Sequence, residues 1–127
     1  MLPTNARILV VDDDPDVRRV TTMMLRQGGY SFVEASSGQE ALEILRQYPK
    51  EFILLISDLK MPEMDGEQLA REAFLIVPQI KVLFVTGYSG DAVAAMHLKP
   101  DQISILEKPF TLEELLNQVG SILRERE

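Results

Sequence analysis

The chain alternates short apolar runs with longer amphipathic stretches, and this alternation limits the folds that it can adopt. Runs such as Arg7–Val11 and residues 52–56 suit strands that are buried on both faces of a parallel sheet. Residues 31–35, 81–85 and 104–106 are the other predicted strands. Five strands that alternate with five helical stretches indicate right-handed crossovers and a parallel sheet covered by helices on both faces.

Local signals predict where the helices begin and end. Asp14 followed by Pro15 is an acidic N-cap with proline at the first helical position. Val17, Val20, Met24 and Leu25 then share one helical face, which we expect to point toward the core. Capping boxes at 37–40 and 111–114 predict two further helix starts. The remaining predicted helices span about 66–76 and 91–98.

Composition fits one soluble domain and excludes several classes of site. The 127 residues carry a net charge of −7, which argues against contact with nucleic acid or an anionic membrane. The chain has no cysteine and one histidine, so disulfides, thiolate zinc sites and multi-histidine metal sites are excluded. No apolar run reaches the ~18–20 residues that span a bilayer, and no signal peptide is visible, so we expect a cytoplasmic location.

Polar residues follow four of the five predicted strands, at the edge where ligands bind in open parallel sheets. The polar residues are Asp12, Asp13 and Asp14 after the first strand, Asp58 after the third, Thr86 after the fourth and Lys108 after the fifth; Gly87 and Pro109 lie beside the last two. Oxygen ligands without histidine or cysteine favour Mg²⁺, Mn²⁺ or Ca²⁺, and Mg²⁺ suits a site with few carboxylates best. A metal, an ammonium and a hydroxyl around a carboxylate nucleophile predict a phosphoryl site.

The ordered motifs closely resemble those of the receiver domain of two-component response regulators, over about residues 6–123. The resemblance rests on the stretches at 8–15, 55–62, 64–66, 84–87 and 107–111. It implies a three-layer, flavodoxin-like (βα)5 fold with a parallel sheet of strand order 2-1-3-4-5. We therefore expect residues 1–127 to form a single receiver domain with no effector domain.

The resemblance also assigns a role to each site residue. Asp58 is expected to accept a phosphoryl group from a phosphohistidine, and Thr86 and Lys108 are expected to contact that group as the protein switches conformation. Asp12, Asp13, Asp58 and the main-chain carbonyl of Lys60 are the expected ligands of Mg²⁺, with Mn²⁺ as a substitute. The Lys108–Pro109 peptide bond is expected to be cis.

The partner implied by the resemblance is a histidine kinase or a histidine phosphotransfer domain. The fourth helix, fifth strand and fifth helix are the expected output face, through which a homodimer is a candidate arrangement. The stretches at 86–91 and 106–115 look like those of receivers at the C-terminus of hybrid sensor kinases, whose parent chain can be membrane-anchored. A single-domain regulator is the alternative.

One position departs from the family pattern. Receivers usually carry tyrosine or phenylalanine three residues before the lysine, where this chain has Ile105. We hypothesise that Ile105 is constant apolar surface and that the loop after Thr86 reports the switch. Tyr88 and Lys60 are expected at the mouth of the pocket, where they would control access of water to the phosphoryl group.

Other functions remain open at this point. Asp12, Asp13 and Asp58 could be ordinary strand-end carboxylates. A degenerate receiver that acts only as a protein-interaction module is a separate alternative, against which the intact Asp58, Thr86 and Lys108 argue. An Mg²⁺-dependent phosphohydrolase with an aspartyl nucleophile shares the chemistry, but 127 residues leave no room for a cap that encloses a substrate. We therefore expect no independent enzyme, only self-phosphorylation from a phosphodonor and autodephosphorylation. His97 is interpreted as a surface or structural residue, not as a relay histidine.

Overall fold

A parallel sheet organises the part of the chain that the computed structural model describes, residues 7–87 and 100–126. The strands are β1 (Arg7–Val11), β2 (Phe32–Ala35), β3 (Phe52–Asp58), β4 (Lys81–Thr86) and β5 (Ile103–Glu107). The helices are α1 (Pro15–Gln27), α2 (Gly38–Gln47), α3 (Gly66–Ile76), a short 3₁₀ helix (Pro100–Gln102) and the C-terminal helix (Leu112–Arg126). Among these helices, none combines the length and apolarity that crossing a bilayer requires.

The sheet has the strand order β2-β1-β3-β4-β5, and all its neighbouring strands are parallel. Two apolar clusters cover its faces. One cluster packs α2 and α3 on the sheet through residues such as Leu42, Leu69 and Phe84. The other packs α1 and the C-terminal helix on the opposite face, through residues such as Leu25 and Leu115. The predicted three-layer fold and its strand order are confirmed.

The predicted helix starts are also found in the structure. The Asp14 side chain accepts hydrogen bonds from the main-chain N–H groups of Asp16 and Val17, so Asp14 is the N-cap of α1. Thr111 and Glu114 form a reciprocal capping box, with distances of 3.0 and 2.9 Å. These caps fix where α1 and the C-terminal helix leave the loops at the sheet edge.

The inner face of α1 differs from the prediction. Val20 is 50% exposed, whereas Thr21 and Thr22 are buried. The hydroxyl of Thr21 donates to the carbonyl of Val17, and that of Thr22 donates to the carbonyl of Arg19. Because each hydroxyl is satisfied by its own helix, both threonines can be buried without a further polar partner. The predicted helix at 91–98, with His97, lies outside the described residues.

Candidate functional site

The carboxyl ends of the strands bring the predicted site residues to one edge of the sheet. Asp12 and Asp13 directly follow β1, and Asp58 is the last residue of β3. Thr86 is the last residue of β4, and Lys108 directly follows β5. The pairing of β1 with β3, β3 with β4 and β4 with β5 places these ends side by side, so the edge carries carboxylates, a hydroxyl and an ammonium.

Asp58 is held by contacts on both of its carboxylate oxygens. The Nζ of Lys108 donates to Oδ2 of Asp58 over 2.8 Å, across fifty positions of sequence. The main-chain N–H of Lys60 donates to Oδ1 over 3.1 Å. The side chain of Asp58 is 17% exposed, so its carboxylate faces solvent at the edge while both of its oxygens are oriented.

Asp12 is more deeply buried, with 7% of its surface exposed. Its Oδ1 accepts a hydrogen bond of 2.9 Å from the main-chain N–H of Asp14. Burial raises the pKa of Asp12 above its usual range, and repulsion from Asp58 and Asp13 acts in the same direction. The Asp14 hydrogen bond and the Lys108 charge lower the pKa in part. Asp12 therefore belongs to one electrostatic cluster with Asp13, Asp58 and Lys108.

Arg18 is a residue of this site that the sequence interpretation did not identify. Its Nη1 donates to the main-chain carbonyl of Asp12 over 2.6 Å. Its Nε donates to Oε1 of Glu34 over 3.0 Å, and the Arg18 side chain is 18% exposed. An arginine one turn into the helix that follows the acids was the available signal, but sequence spacing does not specify a bond to a carbonyl.

Thr86 and Lys108 lie at neighbouring strand ends, and a main-chain hydrogen bond connects them. Thr86 is fully buried, and its carbonyl accepts from the N–H of Lys108 over 2.8 Å. The peptide bond between Lys108 and Pro109 is cis, as the resemblance implied. A main-chain hydrogen bond thus joins the first residue of the loop after β5 to the last residue of β4.

Gly66, the first residue of α3, allows that helix to approach the Asp58 main chain. A Cβ at Gly66 would lie 2.4 Å from the Asp58 carbonyl oxygen and 3.0 Å from Cα of Leu59. The N–H of Gly66 donates to the carbonyl of Leu59 over 2.9 Å. Close packing of α3 against the end of β3 therefore depends on glycine at this position.

The carboxylates fit a hard divalent cation with few protein ligands. Within residues 7–87 and 100–126, no three histidine, cysteine, aspartate or glutamate side chains converge closely enough to hold an ion. Mg²⁺ does not need three, because it commonly takes one or two carboxylates and keeps several waters. Asp12 is buried and is repelled by Asp58 and Asp13, so a bound divalent cation would stabilise its charged form.

An apolar groove adjoins the site between α1 and the loop after β5. It has a volume of about 440 Å³ and is lined by Val17, Val20, Thr21, Met24, Lys108, Pro109 and Phe110. Lys108 is shared between the groove and the Asp58 contact. A macromolecule seated in the groove would therefore lie next to Asp58.

Ile105 is the position at which the sequence departs from the family pattern, and the structure describes it. Ile105 lies in β5, is partly buried and packs against the cluster that covers the α2–α3 face. Its carbonyl accepts from Nε2 of Gln118 in the C-terminal helix over 3.3 Å. Tyr88 lies outside the described residues.

The fold and the acidic edge define a class: a doubly wound α/β domain with an aspartate and a lysine paired at the carboxyl ends of its strands. The family model of the response regulator receiver domain matches residues 8–120. The chain therefore belongs to the response regulator receiver domain family, the receivers of two-component phosphorelay systems.

Individual relatives support this family membership. The chain is 39% identical over 117 residues to the response regulator receiver protein CpdR of Brucella abortus (strain 2308), covering 92% of this chain and 96% of CpdR. It is also 39% identical over 126 residues to the sensor kinase CckA of the same organism, but there it spans only 13% of the relative.

Solved structures show the same fold. A response regulator receiver protein from Sinorhizobium medicae WSM419 has a TM-score of 0.87 and 30% identity, with 98% of each chain covered. The receiver domain of the hybrid histidine kinase CckA has a TM-score of 0.80 and 34% identity, with 93% of this chain and 99% of that chain covered. The flavodoxin-like architecture inferred from the sequence is thus shared with experimentally determined receivers.

Proposed function

We propose that Asp58 is the phosphoacceptor of this receiver and that Lys108 and Thr86 stabilise the phosphorylated state. The observation that carries the proposal is the 2.8 Å contact between Lys108 Nζ and Asp58 Oδ2. This contact places a cation beside the reacting carboxylate, where it can also attract a phosphoryl oxygen. The buried end of β4 supplies Thr86 at the same edge.

The reaction is a transfer between nitrogen and oxygen. A carboxylate oxygen of Asp58 forms a bond to phosphorus, the bond between phosphorus and the donor imidazole nitrogen breaks, and the electron pair returns to the imidazole. Asp12, Asp13 and Asp58, with the Lys60 carbonyl, would hold Mg²⁺, which supplies charge stabilisation for the phosphoryl oxygens when bound. The Lys60 N–H orients Asp58 through its 3.1 Å hydrogen bond.

The phosphodonor in this proposal is a histidine kinase or a histidine phosphotransfer domain. The apolar groove that Lys108 lines gives such a protein a surface from which a phosphohistidine can reach Asp58. We further propose that residues 1–127 act as one receiver domain in the cytoplasm. Its own chemistry is limited to self-phosphorylation and autodephosphorylation, without nucleic acid or membrane contact by this domain. A homodimer through the output face belongs to the same proposal.

The decisive experiment is labelling with acetyl phosphate and Mg²⁺, followed by intact mass measurement. The parent chain should gain one phosphoryl group, and Asp58→Asn should gain none because an amide oxygen is not an adequate nucleophile. Glu63→Gln, an exposed change in the loop after β3, is the control for general effects of removing a charge. Labelling that persists in Asp58→Asn would contradict the assignment.

The same experiment separates the alternatives. Continuous turnover of a phosphate ester by the parent chain would indicate a phosphohydrolase. A folded parent chain that takes up no phosphoryl group at any Mg²⁺ concentration would indicate a degenerate receiver. A single acylphosphate that forms in stoichiometric amount and decays slowly supports the receiver.

A further inference from the structure

We propose that Arg18 is a positioning residue that holds the loop carrying Asp12 and Asp13 in the geometry that binds a divalent cation. The proposal rests on the proposed function, since it concerns the cation of the same site. Among the described residues, Arg18 forms no hydrogen bond to the carboxylates of Asp12, Asp13 or Asp58. Its Nη1 instead donates to the main-chain carbonyl of Asp12 over 2.6 Å.

The loop after β1 is fixed at three atoms of Asp12. The N–H of Asp12 donates to the carbonyl of Ala35 over 3.2 Å, and its Oδ1 accepts from the N–H of Asp14 over 2.9 Å. Arg18 supplies the contact to the carbonyl oxygen. The carbonyl lies between the Asp12 side chain and the peptide that leads to Asp13, so its orientation affects where both carboxylates point.

Arg18 is itself held in place by a second strand. Its Nε donates to Oε1 of Glu34 over 3.0 Å, and Glu34 lies in β2. The guanidinium therefore bridges α1, β2 and the loop after β1. A planar guanidinium can donate in two fixed directions at once, whereas a lysine ammonium on a flexible stem cannot reproduce that fork.

The direction in which Mg²⁺ affinity changes on substitution of Arg18 distinguishes a positioning role from a purely electrostatic one. Arg18 is a cation near a cation-binding cluster, so loss of its charge alone would favour binding of Mg²⁺. Loss of its hydrogen bond to the Asp12 carbonyl would weaken binding, because the carboxylates lose their fixed orientation. Groups that orient metal ligands commonly contribute roughly 10–100-fold to metal affinity.

The test is calorimetric titration of the metal-free 127-residue chain with Mg²⁺ alone. Arg18→Ala should raise the Kd for Mg²⁺ by about tenfold or more. Arg19→Ala is the matched control, because Arg19 is an exposed neighbour on the same helix and its substitution removes the same charge. Arg19→Ala should leave the Kd unchanged or lower it slightly.

Conservative variants test the geometry of the bridge. Arg18→Lys keeps the charge and should still weaken binding, and Glu34→Ala should weaken it less than Arg18→Ala does. Glu34→Gln retains an acceptor oxygen and should behave like the parent. If Glu34 acts only through Arg18, the double variant Arg18→Ala/Glu34→Ala should bind Mg²⁺ no more weakly than Arg18→Ala alone.

Labelling by acetyl phosphate provides a second readout. Arg18→Ala should need more Mg²⁺ for half-maximal labelling and should approach the parent's maximal rate at saturation, because Asp58 and Lys108 are unchanged. A folded Arg18→Ala chain with parental or tighter Mg²⁺ binding would overturn the proposal. So would Arg18→Lys binding like the parent. If Arg18→Ala does not fold, a folded Glu34→Ala chain with parental affinity would overturn it.

These outcomes are separate from failure of the proposed function. If the parent chain binds Mg²⁺ and is labelled on Asp58, but the Arg18 variants behave like the parent, only the positioning role is wrong. If the parent chain is not labelled at any Mg²⁺ concentration, the phosphoacceptor assignment is wrong, whatever the Arg18 variants do to Mg²⁺ binding.

Discussion

Asp12 is a buried carboxylate whose charge destabilises the fold, although the same charge suits it to bind a divalent cation. Its burial and the neighbouring Asp58 and Asp13 raise its pKa above the usual 3.8. A carboxyl with a raised pKa in the folded state is most favourable to stability when protonated. That contribution is present below the unfolded pKa and is lost as pH rises through the folded pKa. At neutral pH without a cation, Asp12 therefore destabilises the fold.

We expect Asp12→Asn to unfold at a higher temperature than the parent chain at pH 7 in the presence of a chelator. The asparagine Oδ1 can still accept from the Asp14 N–H, while the desolvated charge and its repulsion are removed. For domains of about this size, 1 kcal/mol corresponds to roughly 2–8 °C in melting temperature. Thermal unfolding followed by circular dichroism measures the difference.

The pH dependence is the control for this prediction. The advantage of Asp12→Asn should shrink as the pH is lowered toward and below 3.8, because the parent's Asp12 then becomes protonated. Asp16→Asn, which changes an exposed acid in the first turn of α1, should show no comparable gain. An advantage of Asp12→Asn that stays constant across this pH range would contradict the electrostatic explanation.

At the scale of elements, the strand ends and helix caps were predictable because they depend on local chemistry. Asp14, Pro15 and the Thr111 capping box mark helix starts through bonds within a few residues. The site followed from the strands, since parallel strands bring their carboxyl ends to one edge. The apolar face predicted for α1 is inward only in part, because Leu25 is buried whereas Val20 is 50% exposed and lines the groove beside the loop after β5.

Arg18 could not be predicted by the same reasoning. Its partners are a main-chain carbonyl and a glutamate sixteen positions away, and neither leaves a motif in the sequence. The groove between α1 and the loop after β5 could not be predicted either. It depends on how far α1 is rotated on the sheet, which is settled by packing of the whole face.

The contact between α3 and the end of β3 gives a prediction at this scale. Gly66→Ala should destabilise the chain by about 1–3 kcal/mol, because its Cβ would lie 2.4 Å from the Asp58 carbonyl oxygen. Backbone atoms on β3 cannot move aside as a flexible side chain can. Urea unfolding at neutral pH measures the change in the free energy of unfolding.

Gly120 is the matched control with the opposite expected sign. It lies inside the C-terminal helix, and the nearest atom to a Cβ there is Nη1 of Arg124, at 3.3 Å. Because that atom is the end of a flexible side chain, Gly120→Ala should stabilise the helix by about 0.5–1 kcal/mol. Equal effects of the two substitutions would contradict the role assigned to the close approach at Gly66.

At the scale of the whole molecule, two helical layers cover the sheet, and the site joins residues that are far apart in the sequence. Lys108 and Asp58 are joined over fifty positions, so a phosphoryl group on Asp58 would act on β3, β4 and β5 together. Lys108 already donates to Asp58, so it would exchange that bond for one to the phosphoryl group, whereas a charge-assisted hydrogen bond from Thr86 would add about 1.5–3 kcal/mol. A contribution of that size changes a two-state equilibrium by roughly 10- to 150-fold.

One phosphoryl group could therefore shift the equilibrium without a rotating aromatic ring in β5. Ile105 is already packed on the core cluster beside α3, and its carbonyl is bonded to Gln118. A β-branched side chain has few favourable rotamers, so one that packs on the core in both conformations of the switch gains little free energy by changing its rotamer. We thus expect Ile105 to keep its rotamer when a stable phosphoryl mimic is bound, while the chain after Thr86 changes.

Methyl NMR spectra of isoleucine-labelled protein, recorded with and without the phosphoryl mimic, measure the Ile105 rotamer through its δ1 carbon shift. Ile105→Val assigns the signal, and Ile53, on the opposite face of the sheet, provides a reference within the same spectra. Backbone amide shifts should change most for the residues that follow Thr86. A large rotamer change at Ile105 would show that β5 itself reports the switch, with the aliphatic residue taking the place of the ring found in other receivers.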